Sequence, residues 1–192
     1  RQAQPLGLGH AVRQAKHLIG NEPFAVLLPD DVIKAKCGAL AQMIQAHQGI
    51  GGHMVATMDV PRVDTSKYGV LDIDHQDGRI SHVQGLVEKP RADIAPSTKA
   101  VVGRYILDSA IFDRLNNLGP GAGGELQLTD AINADVASVG VTGYCFEGER
   151  FDCGSVQGFV QATVAFALDR ADLRDDFATF LDDRRKPVHL VA

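Results

Sequence analysis

Four short stretches of this chain carry side chains from which a reaction centre can be built. The densest is Gly85-Leu-Val-Glu-Lys-Pro90, where an apolar approach (Val83, Leu86, Val87) delivers an acid and a base side by side. The proline then stops the strand. Successive strand residues point to opposite faces, so Glu88 and Lys89 cannot both be ordinary surface charges of one half-buried strand. At a strand end one can reach a sugar hydroxyl and the other a phosphate; the alternative is a solvated charge pair before a turn. Asp30-Asp31 follows an apolar run. A carboxylate there can hold a hydrated Mg²⁺ that also contacts phosphates, because Mg²⁺ keeps few protein ligands. The same residues could instead cap the next segment. Phe151-Asp-Cys-Gly154 offers a second carboxylate, Asp152, which could share that metal with Asp30 or act as a helix N-cap. Gly7-Leu-Gly-His-Ala11 opens a helix with glycines that permit close approach of a flat or anionic ligand, with free N–H groups pointing outward. Gln2, just upstream, has an amide suited to the edge of a base. A plain loop-to-helix junction would read the same way.

These stretches must be positioned by a scaffold, and the chain reads as alternating helices and strands. Ala11, Ala15, Leu18 and Ile19 recur at helical spacing until Gly20-Asn-Glu-Pro23. Residues 24–28 form a wholly apolar strand of the kind buried on both faces of a parallel sheet. A second helix follows Asp31, carrying Leu40, Met43, Ile44 and His47, and a strand covers 53–60. Segments 68–71 and 80–87 read as strands joined by a turn at Asp77-Gly78. A polar loop, a strand over 100–107 and a short helix come next. A longer helix begins after Gly123-Gly124, with Leu128, Ile132, Val136 and Val139 on its inner face. A strand over 141–146 leads to a turn at 151–154. The helix after it bears a stripe of Val156, Phe159, Val160, Val164 and Leu168, and an amphipathic helix over 174–183 precedes a loose tail. The pattern predicts an α/β sheet with helices on both faces, in one domain spanning 1–192. In open α/β sheets ligands bind at the carboxyl ends of strands, where these stretches fall.

Composition narrows the function classes. The 192 residues are 45% hydrophobic and 22% charged, enough for one sizeable core. The net charge of −5 comes with no basic stripe, which argues against a nucleic-acid partner. No apolar run reaches membrane-spanning length and no secretory signal opens the chain, so no membrane partner is expected. The three cysteines, Cys37, Cys145 and Cys153, lack metal-knuckle spacing and read as free thiols in a reducing cytosol.

In their order and spacing, several segments resemble one family over almost the whole chain. They are Gln2, Gly7-Leu-Gly-His-Ala11, Leu28-Pro-Asp30, Tyr68-Gly-Val70, Val87-Glu-Lys-Pro90, Val102-Gly-Arg-Tyr105, Gly121-Ala-Gly-Gly-Glu-Leu-Gln-Leu-Thr-Asp-Ala-Ile132 and Asp152-Cys-Gly154. The family is the bacterial UTP–glucose-1-phosphate uridylyltransferases, also called UDP-glucose pyrophosphorylases. The Glu-Leu-Gln-Leu-Thr-Asp-Ala-Ile run points to it over its thymidylyl and adenylyl cousins. The resemblance implies a Rossmann-like nucleotidyltransferase fold with a central mixed, mostly parallel sheet, in the cytoplasm. It implies UTP, glucose 1-phosphate and UDP-glucose as partners and Mg²⁺ as cofactor. Carried over by residue, Asp30 and Asp152 hold the metal and Lys89 binds the sugar phosphate. Glu88 accepts from glucose hydroxyls, and Gly69, Val101 and Gly103 line the sugar. Gln2 and Gly7 read the uracil edge. Glu125, Gln127 and Asp130 open a helix near the site, with packing and capping as the other role for Asp130. Asp31 should face away by strand alternation.

The family's Gly-rich loop with its arginine and lysine, which cradles the nucleotide phosphates, has no counterpart in these residues. The chain is therefore expected to be a fragment of a larger catalytic domain, impaired in the full reaction on its own. Rival readings are a sibling enzyme using dTTP or another sugar phosphate, and a non-catalytic nucleotide-sugar-binding module. A metal-dependent glycosyltransferase would need an acceptor region that the sequence does not show. The final helices, 155–183, are free to pack on the sheet or on another subunit, so a homo-oligomer stays open.

Overall fold

The computed structural model describes residues 2–185; the expected tail beyond the last helix lies outside them. Along the chain run α1 (Leu8–Arg13), α2 (Lys16–Ile19), β1 (Phe24–Leu27), β2 (Asp31–Lys34), α3 (Ala39–His47) and β3 (His53–Asp59). After a 3₁₀ turn at Arg62–Lys67 come β4 (Gly69–Asp77), β5 (Ile80–Glu88), β6 (Lys99–Leu107) and α4 (Ile111–Asn117). Then follow α5 (Leu128–Ala134), β7 (Val141–Cys145), β8 (Glu149–Asp152), α6 (Val156–Asp169) and α7 (Arg174–Arg185). These elements form two compact units: residues up to 28 with 35–148, and residues 29–34 with 149 onward.

The first unit is built on a six-stranded sheet of order β1-β6-β3-β7-β5-β4. The sheet is mixed, as expected, but the expectation of mostly parallel pairing is corrected. Among the described pairings only β3–β7 is parallel. The cause lies in the connections. β4 and β5 are joined by a tight turn at Gly78 (φ 55°) and must run antiparallel. β6 then runs between β1 and β3, opposite to both. β1 differs from its reading too. Phe24 and Val26 pack on the core while Ala25 and Leu27 are exposed, so an apolar run here alternates at the sheet's edge instead of being buried on both faces.

Alternation along β3 divides the core. Val55 joins Leu71, Leu107, Phe112 and Ile132 in one cluster with α1, α4 and α5, while the equally buried Met54 and Ala56 point to the opposite face, where α3 packs and buries Met43. α5 is shorter than its periodicity suggests. The carbonyl of Asp135 accepts the N–H groups of Ser138, Val139 and Gly140, and Gly140 turns the chain at φ 85°. Val136 and Val139 thus leave the helix.

The second unit is a two-stranded antiparallel ribbon, β2 with β8, followed by α6 and α7. Its register sets Asp31 opposite Asp152 and Lys34 opposite Glu149. β2 was not foreseen from sequence. α6 starts at Ser155, whose hydroxyl accepts the Gly158 N–H at 3.0 Å. Ser155, not Asp152, is thus the N-cap. Phe151 packs on Phe166 of α6, whereas Val156, Phe159 and Val160 of the stripe are exposed. Among the described residues no helix is long and apolar enough to cross a membrane.

Candidate active site

In the first unit, the ends of β4 and β5 build a small polar corner. The register pairs Gly69 with Glu88, and the Lys89 N–H donates to the Tyr68 carbonyl at 2.9 Å, closing the strand end. A β-carbon at Gly69 would sit 3.2 Å from Glu88 Oε2 and 3.4 Å from Thr129 Oγ1. The glycine therefore lets a carboxylate and a hydroxyl close in on the strand where a side chain would be crowded. Glu88 is mostly buried, its side chain 16% exposed, while Lys89 is 61% exposed. Their charged ends are 3.9 Å apart. Lys89 is also the one non-glycine residue among those described with positive φ, at 46°. That left-handed turn throws the ammonium out of the strand and strains the backbone, the more so before a proline.

Val101 and Gly103 share a face of β6 by alternation, and the Val70–Ala100 pair places Val101 beside the strand that starts at Gly69. The Gly103 carbonyl accepts from the Leu28 N–H at 2.9 Å and from Arg104 Nη1 at 2.8 Å. Arg104 also donates to the Leu28 carbonyl, tying down the chain just before Pro29-Asp30.

The glycine segment at α1 is packed against the protein's own backbone at Leu126. Gly7 has φ 99°, and a β-carbon there would lie 2.7 Å from the Leu126 carbonyl oxygen. The Gly9 N–H donates to that same oxygen at 2.9 Å, so it does not point free as expected. Gln2 folds back on this segment, its Nε2 at 3.1 Å from the Gly7 carbonyl oxygen and 2.8 Å from His10 Nδ1. Nearby, Gln127 donates to Glu125 at 3.2 Å, and the Asp130 carboxylate rests against Gly121.

In the second unit the ribbon brings two carboxylates together. The Cys153 N–H donates to the Asp30 carbonyl at 2.7 Å, and Asp152 Oδ1 accepts the Gly154 N–H at 3.1 Å. A β-carbon at Gly154 would lie 3.1 Å from Asp152 Oδ1 and 3.3 Å from Asp30 Oδ2, so both acids border the room that glycine leaves. The expectation that Asp31 faces away is corrected: the register sets it directly opposite Asp152, on the same face of the ribbon, and the Arg150 guanidinium that binds the buried Asp31 carboxylate also lies 3.9 Å from Asp152 Oδ2. Among the described residues no cluster of three or more His, Cys, Asp or Glu could hold a metal. A divalent ion at Asp30 and Asp152 would thus rest on two carboxylates, with water and phosphate completing its shell, which suits Mg²⁺. Sequence reading missed Thr129 and Arg150, since each meets its partner only through pairing distant in the chain.

A family model described as nucleotidyl transferase matches residues 1–168, and the chain belongs to that family. Within it, the chain is similar to the UTP–glucose-1-phosphate uridylyltransferase of Staphylococcus haemolyticus, 40% identical over 95% of this chain and 64% of that protein. The Staphylococcus epidermidis relative of the same name is 42% identical over 94% of this chain and 63% of its own. A UDP-glucose pyrophosphorylase crystallised with UDP-glucose superposes with a TM-score of 0.84 at 40% identity, covering 88% of this chain and 65% of that one. A UTP-bound enzyme from Acinetobacter baumannii gives 0.86 at 36% identity, over 95% and 64%. The chain spans just under two thirds of the length of these relatives. They bear out the resemblance read from the sequence and do not favour the thymidylyl alternative.

Proposed function

We propose that the chain serves the transfer of a uridylyl group from UTP to glucose 1-phosphate, yielding UDP-glucose and pyrophosphate. A phosphate oxygen of the sugar attacks the α-phosphorus of UTP in line; the bond to the bridging oxygen breaks and pyrophosphate leaves with its electron pair. The nucleophile is already an anion, so the reaction asks for alignment and charge neutralisation more than for a base. The observation that carries this reading is the Gly69–Glu88–Lys89 corner, which offers an acceptor for hydroxyls next to a cation for a phosphate.

In this reading Lys89 binds the sugar phosphate and offsets the repulsion of two meeting anions. At ~4 Å and an effective dielectric of ~20, one unit charge acts on another by ~4 kcal/mol. Glu88 accepts from glucose hydroxyls, with Gly69, Val101, Gly103 and Thr129 shaping the space around the ring. Gln2 and Gly7 meet the uracil. Asp30 and Asp152 would hold Mg²⁺, which when bound neutralises phosphate charge. Both compact units then serve one catalytic domain in a cytoplasmic enzyme.

The test is UDP-glucose formation by the protein with Lys89→Ala and with Asp152→Asn. Each substitution is expected to lower turnover roughly 100-fold or more. Turnover that survives both would sink the catalytic assignment.

A further inference from the structure

Arg150 stands between two carboxylates that the reaction scheme treats differently. The register sets Asp31 directly opposite Asp152 with Arg150 on the diagonal, so all three side chains share one face of the ribbon. Like charges set opposite each other repel, and the guanidinium relieves this unevenly. Its Nε and Nη2 are both bound to Asp31 Oδ1, whereas Nη2 stands 3.9 Å from Asp152 Oδ2, within ion-pair range but beyond a hydrogen bond. Burial follows the same division. The Asp31 and Arg150 side chains are 9% and 15% exposed, and that of Asp152 is 50% exposed. The other oxygen of Asp152, Oδ1, accepts the Gly154 N–H and borders the room at Gly154 together with Asp30 Oδ2. Arg150 thus has two carboxylates within reach and is bound to the one to which the proposed chemistry gives no task.

We infer that Asp31 is a positioning residue: by holding the Arg150 guanidinium it keeps that cation off Asp152 and leaves Asp152 open to a divalent metal ion. This rests on the assignment of Asp30 and Asp152 as metal ligands in the proposed function. A guanidinium seated on Asp152 would fork onto both carboxylate oxygens and cancel the charge that a metal ion needs. Burial makes the arrangement one-sided. A buried carboxylate stripped of its cation is costly, while a half-exposed one is solvated, so Arg150 stays with Asp31. Once Asp31 loses its charge that hold is gone, and Asp152 is the anion already within reach of Nη2.

Mn²⁺ binding, read as free Mn²⁺ by electron paramagnetic resonance, tests this on the wild-type protein, Asp31→Asn, Arg150→Gln, the double variant and Asp152→Asn. Asp31→Asn should weaken Mn²⁺ binding roughly tenfold, the size found for outer partners of metal ligands. In the Arg150→Gln background the same change should weaken it less than about twofold, because no guanidinium is left to be released. An equal loss in both backgrounds would make Asp31 a source of negative charge alone and overturn the inference. If Asp152→Asn loses Mn²⁺ while those two losses are equal, the metal assignment stands and the inference alone falls. If Asp152→Asn binds Mn²⁺ as the wild type does, the metal assignment falls and takes the inference with it. Side-chain ¹⁵N spectra of the wild type give a readout that needs no variant to fold. Mg²⁺ should shift the Gly154 amide, whose acceptor is Asp152 Oδ1, and leave the Arg150 Nε–H protected from exchange with water. An Arg150 Nε–H that exchanges as fast as a solvated guanidinium would refute the hold by Asp31.

Discussion

Lys89 carries two properties that can be separated by substitution: a cation and a left-handed backbone. Holding a non-glycine residue at φ 46° costs about 1–2 kcal/mol, which glycine avoids at a smaller entropic cost in the unfolded chain. Lys89→Gly should therefore be more stable than Lys89→Ala by about 1 kcal/mol in chemical denaturation. Both should lose glucose 1-phosphate turnover alike. Equal stability of the two variants would show that the turn is not strained, and turnover in the glycine variant would remove the ammonium from the mechanism. A lysine before a proline reads as extended, so the motif announced the two charges but not the turn that separates them. The same holds for Gly69. Its place in the motif was legible, whereas its role as the floor under Glu88 and Thr129 needed the β4–β5 register and the docking of α5.

The start of β3 is fastened to the helices by a buried polar knot. His53 is fully buried; its Nδ1 accepts the Asp108 N–H at 3.0 Å and its Nε2–H donates to Asp135 at 3.1 Å. Asp135 is held in turn by Arg114 and Ser138. Burial pushes the His53 pKa below the ordinary 6.5; the Asp135 bond and the charges of Asp135 and Asp108 oppose the shift, and His47 reinforces it. Because the folded value is depressed, the unfolded chain binds the proton more readily. The stability is fully present above 6.5 and is lost as pH falls below it. The melting temperature should drop between about pH 7.5 and about pH 5.5, and His53→Gln, less stable at the upper value, should lose less over that span. An equal loss in both proteins would place the titration elsewhere. What could be read of the elements follows the same division between local and distant. The β4–β5 hairpin was visible because its turn residue and both strands are adjacent in the chain. β2 was not, because Asp31-Val-Ile-Lys34 becomes a strand only by pairing with residues 149–152. Likewise the apolar run of β1 says that it is a strand but not that its neighbour β6 runs against it.

The family match runs through both compact units, and each unit holds a different part of the proposed chemistry. The proposed sugar-phosphate corner belongs wholly to the first unit, and the carboxylate pair wholly to the second, with Asp152 ending β8 and Asp30 just before β2. Each ligand should therefore leave its own mark on hydrogen exchange. A ligand that binds only the closed form stabilises it by RT ln(1 + [L]/Kd), so at a hundredfold excess over Kd local opening is suppressed roughly 100-fold. Mn²⁺, used as a probe for the divalent site, should slow exchange at residues 29–34 and 149–155 and leave the β4–β5 corner unchanged. Glucose 1-phosphate should slow residues 68–70 and 86–89 and leave the ribbon unchanged in the absence of metal. Asp152→Asn should abolish the first pattern alone, and Lys89→Ala the second alone. If Mn²⁺ protected the β4–β5 corner and not the ribbon, Asp30 and Asp152 would not be the metal ligands. If Lys89→Ala erased both patterns, the two substitutions would be reporting loss of the fold and not loss of separate sites.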